Sequence, residues 1–335
     1  MPLDPKAKLV PNVLELAALE QKPTREGYGL GLVQAGDENA NVVALCADLT
    51  ESTRTEAFAK KYPERFVEMG VAEQNLAAVA AGLAAVGKVP YISSYAMFSP
   101  GRNWEQIRTT ICYNERHVII AGAHAGVSVG PDGATHQAIE DIAITRPIAN
   151  MTVIAPCDIH EARKATAMAQ HLAGPVYIRF AREKTPVFTT PKTPFEIGKA
   201  VMFFKPAKKQ ADVAIIACGP LAHNALLAAA ELEADGMSIA VINSPTIKPL
   251  DEEAIAAAAQ NAKAIVTVEE HQVQGGMGSA VAELLAKRQP VPIEFIGVQN
   301  RFGESGAPQE LIEAFGMGVS HIKEAAQKAF KRKIT

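Results

Sequence analysis

Cysteine, aromatic side chains and long apolar runs are all scarce in this chain of 335 residues. The four cysteines (Cys46, Cys112, Cys157 and Cys218) share no spacing typical of a disulfide framework or a metal site, and three of them lie in apolar, strand-like or helical contexts, which indicates buried, reduced thiols. No apolar run approaches the roughly 20 residues of a transmembrane helix, and the N-terminus lacks the pattern of a signal peptide. These absences predict a cytoplasmic protein.

An excess of charge of either sign is also missing. The formal net charge is -3, so the chain has no basic field of the kind that binds nucleic acid. Short-period repeats and low-complexity tracts are missing as well. What remains is an ordinary globular composition, 48% hydrophobic and 21% charged, in a chain long enough for two domains.

Predicted strands alternate with predicted helices along the whole chain, which indicates an α/β protein with two doubly wound, mostly parallel sheets. Residues 1–23 are predicted to form an N-terminal arm, and residues 24–184 a first domain. A proline-rich stretch at 185–196 is predicted to link it to a smaller second domain over 197–335. The predicted strands are 41–47, 88–94, 117–123, 151–155 and 176–180 in the first domain, and 213–217, 239–243, 264–268 and 293–297 in the second.

Glu73 lies at a predicted junction between a strand and a helix. A buried strand is predicted to end at Phe66 and Val67, Gly70 allows a tight turn, and an Ala/Leu-rich helix follows. Open α/β sheets bind ligands at the carboxyl ends of their strands, so Glu73 is a candidate site residue. Alternatively, Glu73 only complements the helix dipole, as many first-turn acids do. This stretch alone leaves both interpretations open.

A glycine-rich loop from His124 to Gln137 directly follows a predicted buried strand. It contains His124, Asp132 and His136, side chains that can move protons or bind phosphate near neutral pH. Such a polar loop on a rigid scaffold favours a functional site over a packing role. A metal site is the alternative, although no third ligand lies at a standard spacing.

Other candidates carry little weight alone. Arg25, Arg179 and Arg182 stand next to predicted strand ends or helix starts, where a single arginine is most simply a surface ion-pair partner. Tyr95 and Phe98 are most simply core aromatics. These residues indicate a functional site only if they occur together with the other candidates.

Taken together, these segments resemble the pyrimidine-binding domain of thiamine-diphosphate enzymes, and the transketolase family most of all. The similarity covers the chain from about residue 20 onwards. In the first domain it is carried by Gly70-Val-Ala-Glu73-Gln, Tyr95-Ala-Met-Phe98 and Asp132-Gly-Ala-Thr-His136-Gln, and in the second by Glu269-Glu-His271, Gly275-Gly-Met-Gly-Ser279 and Ala280-Val-Ala-Glu283.

The resemblance implies a role for each matching residue around the cofactor. Glu73 would hydrogen-bond the pyrimidine ring nitrogen and favour the tautomer that activates the cofactor. Phe98 would stack on the pyrimidine and Tyr95 would line its pocket. Asp48 and Val71 would complete the cofactor contacts.

The resemblance also implies how the sugar substrates are held. His136 would contact the donor's oxygens and assist proton transfer, with His124 as a further catalytic residue, and Asp132 would contact the donor hydroxyl next to the carbonyl. The residues that match the family's sugar-phosphate anchors are Arg25, Ser52, His124 and Arg182.

Some positions depart from the family's pattern. Ala134 replaces a usual proline, Ala72 replaces a usual arginine, and residues 179–183 stand where the family has a Ser-Arg-Gln signature. Arg179 therefore competes with Arg182 for the last anchor position, and the donor and acceptor sugars are left open.

The resemblance further implies a partner chain. Full-length transketolases begin with a domain whose Gly-Asp-Gly motif holds a divalent metal and the cofactor diphosphate, and no Gly-Asp-Gly occurs in this chain. The chain is therefore similar to the C-terminal subunit of a split transketolase. An N-terminal subunit would supply the Mg²⁺ (or Ca²⁺) site, this chain would contribute no metal ligand, and the pair would form an α2β2 heterotetramer with an apolar contact surface around Glu73.

The resulting functional hypothesis is transfer of a two-carbon ketol unit between sugar phosphates, as in the pentose phosphate pathway. Two alternatives keep the cofactor, namely a subunit like 1-deoxyxylulose-5-phosphate synthase or like the beta chain of a 2-oxoacid dehydrogenase. His124 favours transketolase over the synthase, and the loop that normally reads His-Ser-Gln in dehydrogenase beta chains reads Thr135-His136-Gln137 here. A third alternative is a non-catalytic chain that binds a partner through the same fold.

Overall fold

The computed structural model describes residues 3–333, which form two α/β units with one helix layer on each face of each main sheet. The ends of the predicted arm and of the second domain, residues 1–2 and 334–335, lie outside the described residues. Mixed α/β architecture with mostly parallel sheets, predicted from the sequence, is confirmed.

The first unit runs from β1, at residue 21, to β8, at residue 186. Its elements are β1 (Gln21–Lys22), α1 (Thr24–Glu38), β2 (Val42–Cys46), α2 (Glu56–Lys61), β3 (Phe66–Glu68), α3 (Glu73–Ala85), β4 (Val89–Tyr95), α4 (Trp104–Gln106, continued by a π-helical turn over Ile107–Cys112), β5 (Ile119–Ala123), α5 (Asp141–Thr145), β6 (Thr152–Ile154), α6 (Ile159–Ala169), β7 (Val176–Arg179) and β8 (Thr185–Pro186). Short 3-10 helices occupy Pro5–Ala7, Leu16–Ala18, Pro63–Arg65 and Val127–Asp132.

The second unit follows the same strand–helix alternation. Its elements are β9 (Val201–Phe204), β10 (Val213–Ala217), α7 (Ala222–Ala234), β11 (Ile239–Asn243), β12 (Thr246–Lys248), α8 (Glu252–Ala262), β13 (Ile265–Gln272), α9 (Met277–Arg288), β14 (Ile293–Val298), α10 (Pro308–Ala314) and α11 (Val319–Lys331). None of the helices within residues 3–333 combines the length and the apolar character needed to cross a bilayer.

The larger sheet has the strand order β12-β6-β7-β5-β4-β2-β3. Its strands are parallel except β12, which comes from the second half of the chain and pairs antiparallel with β6. Strands β2, β5 and β7 are buried along their whole length, as expected for a parallel sheet covered by helices on both faces. The carboxyl ends of these strands therefore meet at one edge, where the candidate residues follow.

The smaller sheet has the order β14-β13-β10-β11-β9, with only β9 antiparallel. Strands β10 and β11 have the bounds predicted from the sequence, because both are short apolar runs that end at glycine or polar residues. Helix α11 packs its apolar stripe on this sheet through Ile322, Ala326 and Ala329, which are fully buried. The second unit thus has its own core.

The segment predicted as a linker is firmly packed. Strand β8, at its start, pairs with β1 of the predicted arm, and the side chain of Phe188 is fully buried. The carboxylate of Asp158 accepts hydrogen bonds from the backbone N–H groups of Phe188 and Thr189 at 3.0 and 2.7 Å. Together with β12, these contacts join the two units, while the predicted domain boundaries remain predictions.

Strand β3 differs from its prediction. It forms the outer edge of the larger sheet rather than a buried strand, and Val67 is 40% exposed. The reason is that β3 is the last strand in the sheet order and pairs with β2 along one edge only. The apolar residues Phe66 and Val67 therefore lie at a sheet edge that residues 3–333 leave partly exposed.

Candidate active site

The candidate residues follow the carboxyl ends of neighbouring strands in the larger sheet. Parallel strands share one such edge, so side chains far apart in sequence come together there. The residues in question are Asp48 after β2, Glu73 after β3, Tyr95 at the end of β4, His124 after β5 and Arg182 after β7. Arg25 reaches the same edge from the first turn of α1.

Glu73 is the first residue of α3 and is only 2% exposed. Its Oε2 accepts a hydrogen bond from Arg102 Nη1 at 2.8 Å, and its backbone oxygen accepts one from Asn103 Nδ2 at 3.0 Å. Complementing a helix dipole requires neither burial nor a dedicated arginine, because surface carboxylates do it. The structure therefore favours the functional interpretation of Glu73 over the dipole interpretation.

Tyr95 and Phe98 belong to an aromatic stack at the site, not to the core. The ring of His124 lies 3.8 Å from that of Tyr95, with an interplanar angle of 27°. The Tyr95 and Phe98 ring centroids are 6.0 Å apart at 22°, and His136 meets Phe98 edge-on at 5.5 Å. Both aromatic rings are partly exposed. They can offer a flat apolar surface to a ring-shaped ligand.

Arg25 and His124 form a polar cluster with unused hydrogen-bonding capacity. Arg25 Nη1 donates to the backbone oxygen of Ser52 at 2.6 Å and lies 3.4 Å from His124 Nε2. Arg25 Nε and His124 Nδ1 are buried and find no hydrogen-bond partner among residues 3–333. Since Nε2 accepts from Arg25, Nδ1 carries the proton of the neutral ring. Two buried donors at this site thus lack an acceptor among residues 3–333.

Burial and the neighbouring positive charges of Arg25 and Arg182 lower the pKa of His124 to about 2. Burial, together with the charges of Arg54 and Arg182, also lowers the pKa of Arg25. His124 is therefore neutral at physiological pH, and the cluster carries only arginine charges. A phosphate group would relieve this repulsion and pair with the free donors.

The glycine-rich loop brings Asp132 close to Arg182 and His136 close to the Tyr95 and Phe98 rings. Arg182 Nη1 donates to the backbone oxygen of Val129 at 2.7 Å and lies 3.4 Å from Asp132 Oδ1. His136 Nδ1 lies 2.9 Å from Thr135 Oγ1. All of these side chains keep some solvent exposure, so a ligand can reach them.

Arg179 lies in the protein interior and not at the candidate site. The sequence alone had left Arg179 and Arg182 as alternatives for the same anchor position. It is 7% exposed, and its Nε donates to Asp141 Oδ2 at 2.8 Å. Its Nη2 donates to the backbone oxygens of Ala138 and Glu270 at 3.1 and 2.7 Å. These bonds commit its guanidinium to the interior, so Arg182 is the arginine placed at the site, and its role there stays a prediction.

Asp48 and Val71 lie on two loops held together by Glu68. Glu68 Oε1 accepts from the backbone N–H groups of Asp48 and Gly70 at 2.7 and 3.0 Å, and its Oε2 accepts from Thr50 Oγ1 at 2.9 Å. Asp48 is exposed, and Val71 is 69% exposed. Their predicted cofactor contacts remain predictions, made by side chains that this chain leaves open.

Within residues 3–333, no three histidine, cysteine, aspartate or glutamate side chains are arranged to hold a metal ion. The alternative of a metal site in the glycine-rich loop therefore lacks a third ligand in space as well as in sequence. All four cysteines are buried and free.

Two site residues were missed in the sequence. Arg102 pairs with Glu73, and its Cζ lies 4.7 Å from the centre of the Phe98 ring. Arg54 shares a loop with Ser52, and its main chain packs on Gly29, one turn along α1 from Arg25. Arg54 has φ +69°, a strained backbone for an arginine, and that strain is typical of functional loops. No local sequence pattern identifies either residue, although both stand a few positions from predicted ones.

The buried neutral state of His124 gives a testable pH effect on stability. Its folded pKa lies below the unfolded value, so the unfolded chain binds more protons, and stability is lost as pH falls below about 6.5. We expect His124 to account for about 2 kcal/mol of the stability lost between pH 7 and pH 5. Urea unfolding of the wild type and His124→Asn at both pH values measures this share, and asparagine tolerates the positive φ of 56° at this position.

Exposed His171 provides the matched control. His171→Asn should leave the pH dependence of the unfolding free energy as in the wild type. If His124→Asn loses as much stability between pH 7 and pH 5 as the wild type does, His124 is not held neutral.

Comparison with known proteins agrees with this geometry. Residues 20–187 match the family model of the transketolase pyrimidine binding domain, and residues 204–322 match that of the transketolase C-terminal domain. This pair of domains defines a chain of the thiamine-diphosphate enzyme class. Within that class, the chain belongs to the transketolase family.

The similarity extends over nearly the whole chain. A Methanocaldococcus jannaschii protein provisionally named as a transketolase C-terminal section is 41% identical over 314 residues, covering 93% of this chain and 97% of the relative. The 6-deoxy-6-sulfo-D-fructose transketolase subunit of a Clostridium species is 37% identical over 315 residues, covering 94% and 97%. A solved structure described as a split gene transketolase, inactive beta4 tetramer, aligns with a TM-score of 0.85 and 44% identity over 93% of this chain and 99% of that one. The predicted resemblance to a split transketolase is confirmed.

Proposed function

We propose that this chain is the C-terminal subunit of a thiamine-diphosphate-dependent transketolase and transfers a two-carbon ketol unit from a ketose phosphate to an aldose phosphate. The observation that carries the proposal is that one side chain, Arg102, contacts both buried Glu73 and the Phe98 ring. The ring of Tyr95 in turn links Phe98 to His124 of the Arg25 and His124 cluster. A cofactor site and an anion site therefore adjoin each other.

The residues present fit the pyrimidine half of the cofactor. Glu73 offers a buried carboxylate to a ring nitrogen, and Phe98 offers an aromatic face within reach of the same arginine, Arg102. When bound, thiamine diphosphate supplies the nucleophilic carbon that takes up the two-carbon unit. Arg102 now pairs with Glu73 and covers Phe98, so a ligand bound to both residues must compete with Arg102 for them.

The substrate-facing residues divide into two sets. Asp132 and His136, on the loop, would bind the donor's hydroxyl and carbonyl oxygens, and His136 would move a proton there. The anionic end of the sugar would be held by Arg25, Ser52, His124 and Arg182. Support for this comes from the two buried, unpartnered donors of Arg25 and His124.

The geometry of the site does not by itself distinguish a phosphate from a sulfonate at the anionic end of the sugar. Phosphate is our proposal, but one relative's name specifies a sulfo sugar, and a sulfonate offers similar acceptor oxygens. Pyruvate would be the donor if the chain instead acted like 1-deoxyxylulose-5-phosphate synthase or a 2-oxoacid dehydrogenase. Pyruvate has no distal anion for the arginine cluster to bind, which disfavours a 2-oxoacid dehydrogenase. The synthase alternative also uses a sugar phosphate as acceptor, so the choice of donor in the assay separates it from ketol transfer.

A partner subunit is proposed to cover the edge around Glu73. Val67 and Val71 are exposed there, and Val86 at the end of α3 is 75% exposed. The outer side of α3 shows the small residues Ala78 and Gly82, and a Cβ added at Gly82 would meet no atom within 4 Å. Exposed apolar residues grouped on one surface indicate an interaction site, and a glycine on the helix face lets another backbone approach closely. We propose that it packs on the N-terminal subunit, which would supply the diphosphate and Mg²⁺ site in a cytoplasmic α2β2 assembly.

Reconstitution tests the proposal directly. We expect ketol transfer from xylulose 5-phosphate to ribose 5-phosphate, with thiamine diphosphate and Mg²⁺, only when this chain is combined with a separate chain that carries a Gly-Asp-Gly domain. The chain alone should be inactive, because it contains only one side of the cofactor site. Coupled assays of both samples, with pyruvate as an alternative donor, measure this.

The contact surface can be tested in the same assay. Gly82→Arg should prevent assembly and activity without lowering the unfolding midpoint of the isolated chain, because Gly82 faces open space. Ala257→Arg, on exposed helix α8 of the second domain, is the matched control and should assemble normally. Activity of the chain alone would disprove the shared site, and a complex that assembles but acts on neither donor would favour the non-catalytic alternative.

A further inference from the structure

Glu270 of the second domain contacts the loop of the first domain that carries Asp132 and His136. Glu270 lies next to Glu269 on β13, and the two side chains point to opposite faces of the strand. Glu269 stays within its own domain, where its carboxylate accepts from the backbone N–H groups of Met277 and Gly278 at 2.7 and 2.8 Å. Glu270 faces the first domain instead.

The carboxylate of Glu270 packs directly on the loop. Its Oε1 accepts a hydrogen bond from the backbone N–H of Ser128 at 2.6 Å. At Gly126, φ is +91° and an added Cβ would lie 2.2 Å from the same oxygen, so only glycine fits there. Both Glu270 and Ser128 are buried. A short bond between a buried carboxylate and an amide is a strong one, so the loop has a fixed point in the other domain.

Further contacts hold the far part of the same loop. Gln137 Nε2 donates to the backbone oxygen of Glu304 at 2.9 Å, and Ser305 Oγ donates to that of Pro131 at 2.8 Å. The main chain of Glu270 is itself held by Arg179 Nη2 at 2.7 Å. Asp132 and His136 thus lie on a segment whose shape depends on both domains.

We propose that Glu270 is a positioning residue for donor binding, because its bond to the Ser128 amide holds the loop that presents Asp132 and His136. The inference rests on the proposed function, which assigns donor contacts to those two residues. Glu270 acts through the loop and does not contact the donor. It gives the second domain a part in substrate binding beyond packing.

Substitutions in the assembled complex test this role. Glu270→Ala should raise the KM for xylulose 5-phosphate about tenfold or more, since a hydrogen bond to a charged group is lost. The KM for ribose 5-phosphate and the dissociation constant of thiamine diphosphate should stay unchanged. Glu270→Gln keeps an acceptor oxygen and should restore the donor KM to within about threefold of the wild type.

Glu269→Ala is the matched control. Glu269 is as deeply buried and also accepts backbone N–H groups, but it does not touch the loop. It should lower the unfolding midpoint without raising the donor KM. An unchanged donor KM in Glu270→Ala, or the same increase in Glu269→Ala or Glu270→Gln, would overturn the proposal.

Hydrogen exchange separates this inference from the proposed function. Amides in residues 126–138 should exchange about tenfold faster in the Glu270→Ala complex, while those of β4 stay as in the wild type. If the wild-type complex does not act on xylulose 5-phosphate, the proposed function fails and exchange alone decides. Faster exchange confined to the loop then supports the positioning role, and unchanged exchange overturns it.

Discussion

Glu73→Gln is expected to lower ketol transfer by the assembled complex by roughly 10²–10⁴-fold. Glutamine keeps the size and the hydrogen-bonding shape of the side chain, but it cannot share a proton with a ring nitrogen. The loss should appear in kcat with saturating thiamine diphosphate. It is measured by steady-state kinetics on the reconstituted complex, after assembly has been verified by size-exclusion chromatography.

The matched control distinguishes the site from the helix dipole. Glu56 also lies in the first turn of a helix, α2, but its side chain is 41% exposed and pairs with Lys60 in the same helix. Glu56→Gln removes the same dipole interaction, worth about 0.3–1 kcal/mol, and should leave activity unchanged. Near-normal turnover in Glu73→Gln, or equal losses in both variants, would contradict the catalytic assignment.

The sequence predicted most of the scaffold because its signals are local. Apolar runs bounded by glycine or polar residues located β10 and β11 with their observed bounds. Gly70 was predicted to allow a tight turn, and its φ of +69° is a conformation that favours glycine. Short motifs with fixed offsets also located the residues that converge on the sheet edge, because the carboxyl ends of parallel strands share that edge.

The rest depended on contacts between distant parts of the chain. Arg102 reaches Glu73 across 29 positions, and Ser128 reaches Glu270 across 142, so no spacing rule connects them. The edge position of β3 was missed for a related reason: an apolar strand end looks the same whether its cover comes from this chain or from another. The hydrogen bond between Glu270 of the second domain and Ser128 of the loop could not be predicted from either domain alone.

Arg179 and Arg182 allow an experimental test of what sequence reasoning cannot decide. They are three residues apart, and the sequence did not show which of them lies at the site. Arg179→Met should destabilise the isolated chain by about 3–5 kcal/mol, because it leaves the Asp141 carboxylate buried without its partner. The loss also removes donors from two backbone oxygens. Urea unfolding of the isolated chain, with the midpoint and slope fitted together, provides the measurement.

Arg182→Met should behave in the opposite way. Arg182 is partly exposed and its contact with Asp132 is long, at 3.4 Å, so the unfolding free energy should change by less than about 1 kcal/mol. If it anchors the sugar phosphate, the KM of the complex for xylulose 5-phosphate should rise about 10–100-fold. An unchanged unfolding midpoint in Arg179→Met, or a large destabilisation in Arg182→Met, would reverse the assignment. The buried arginine is committed to the contact between the two domains, whereas the partly exposed one is accessible from solvent, so we expect only Arg182 to meet the substrate.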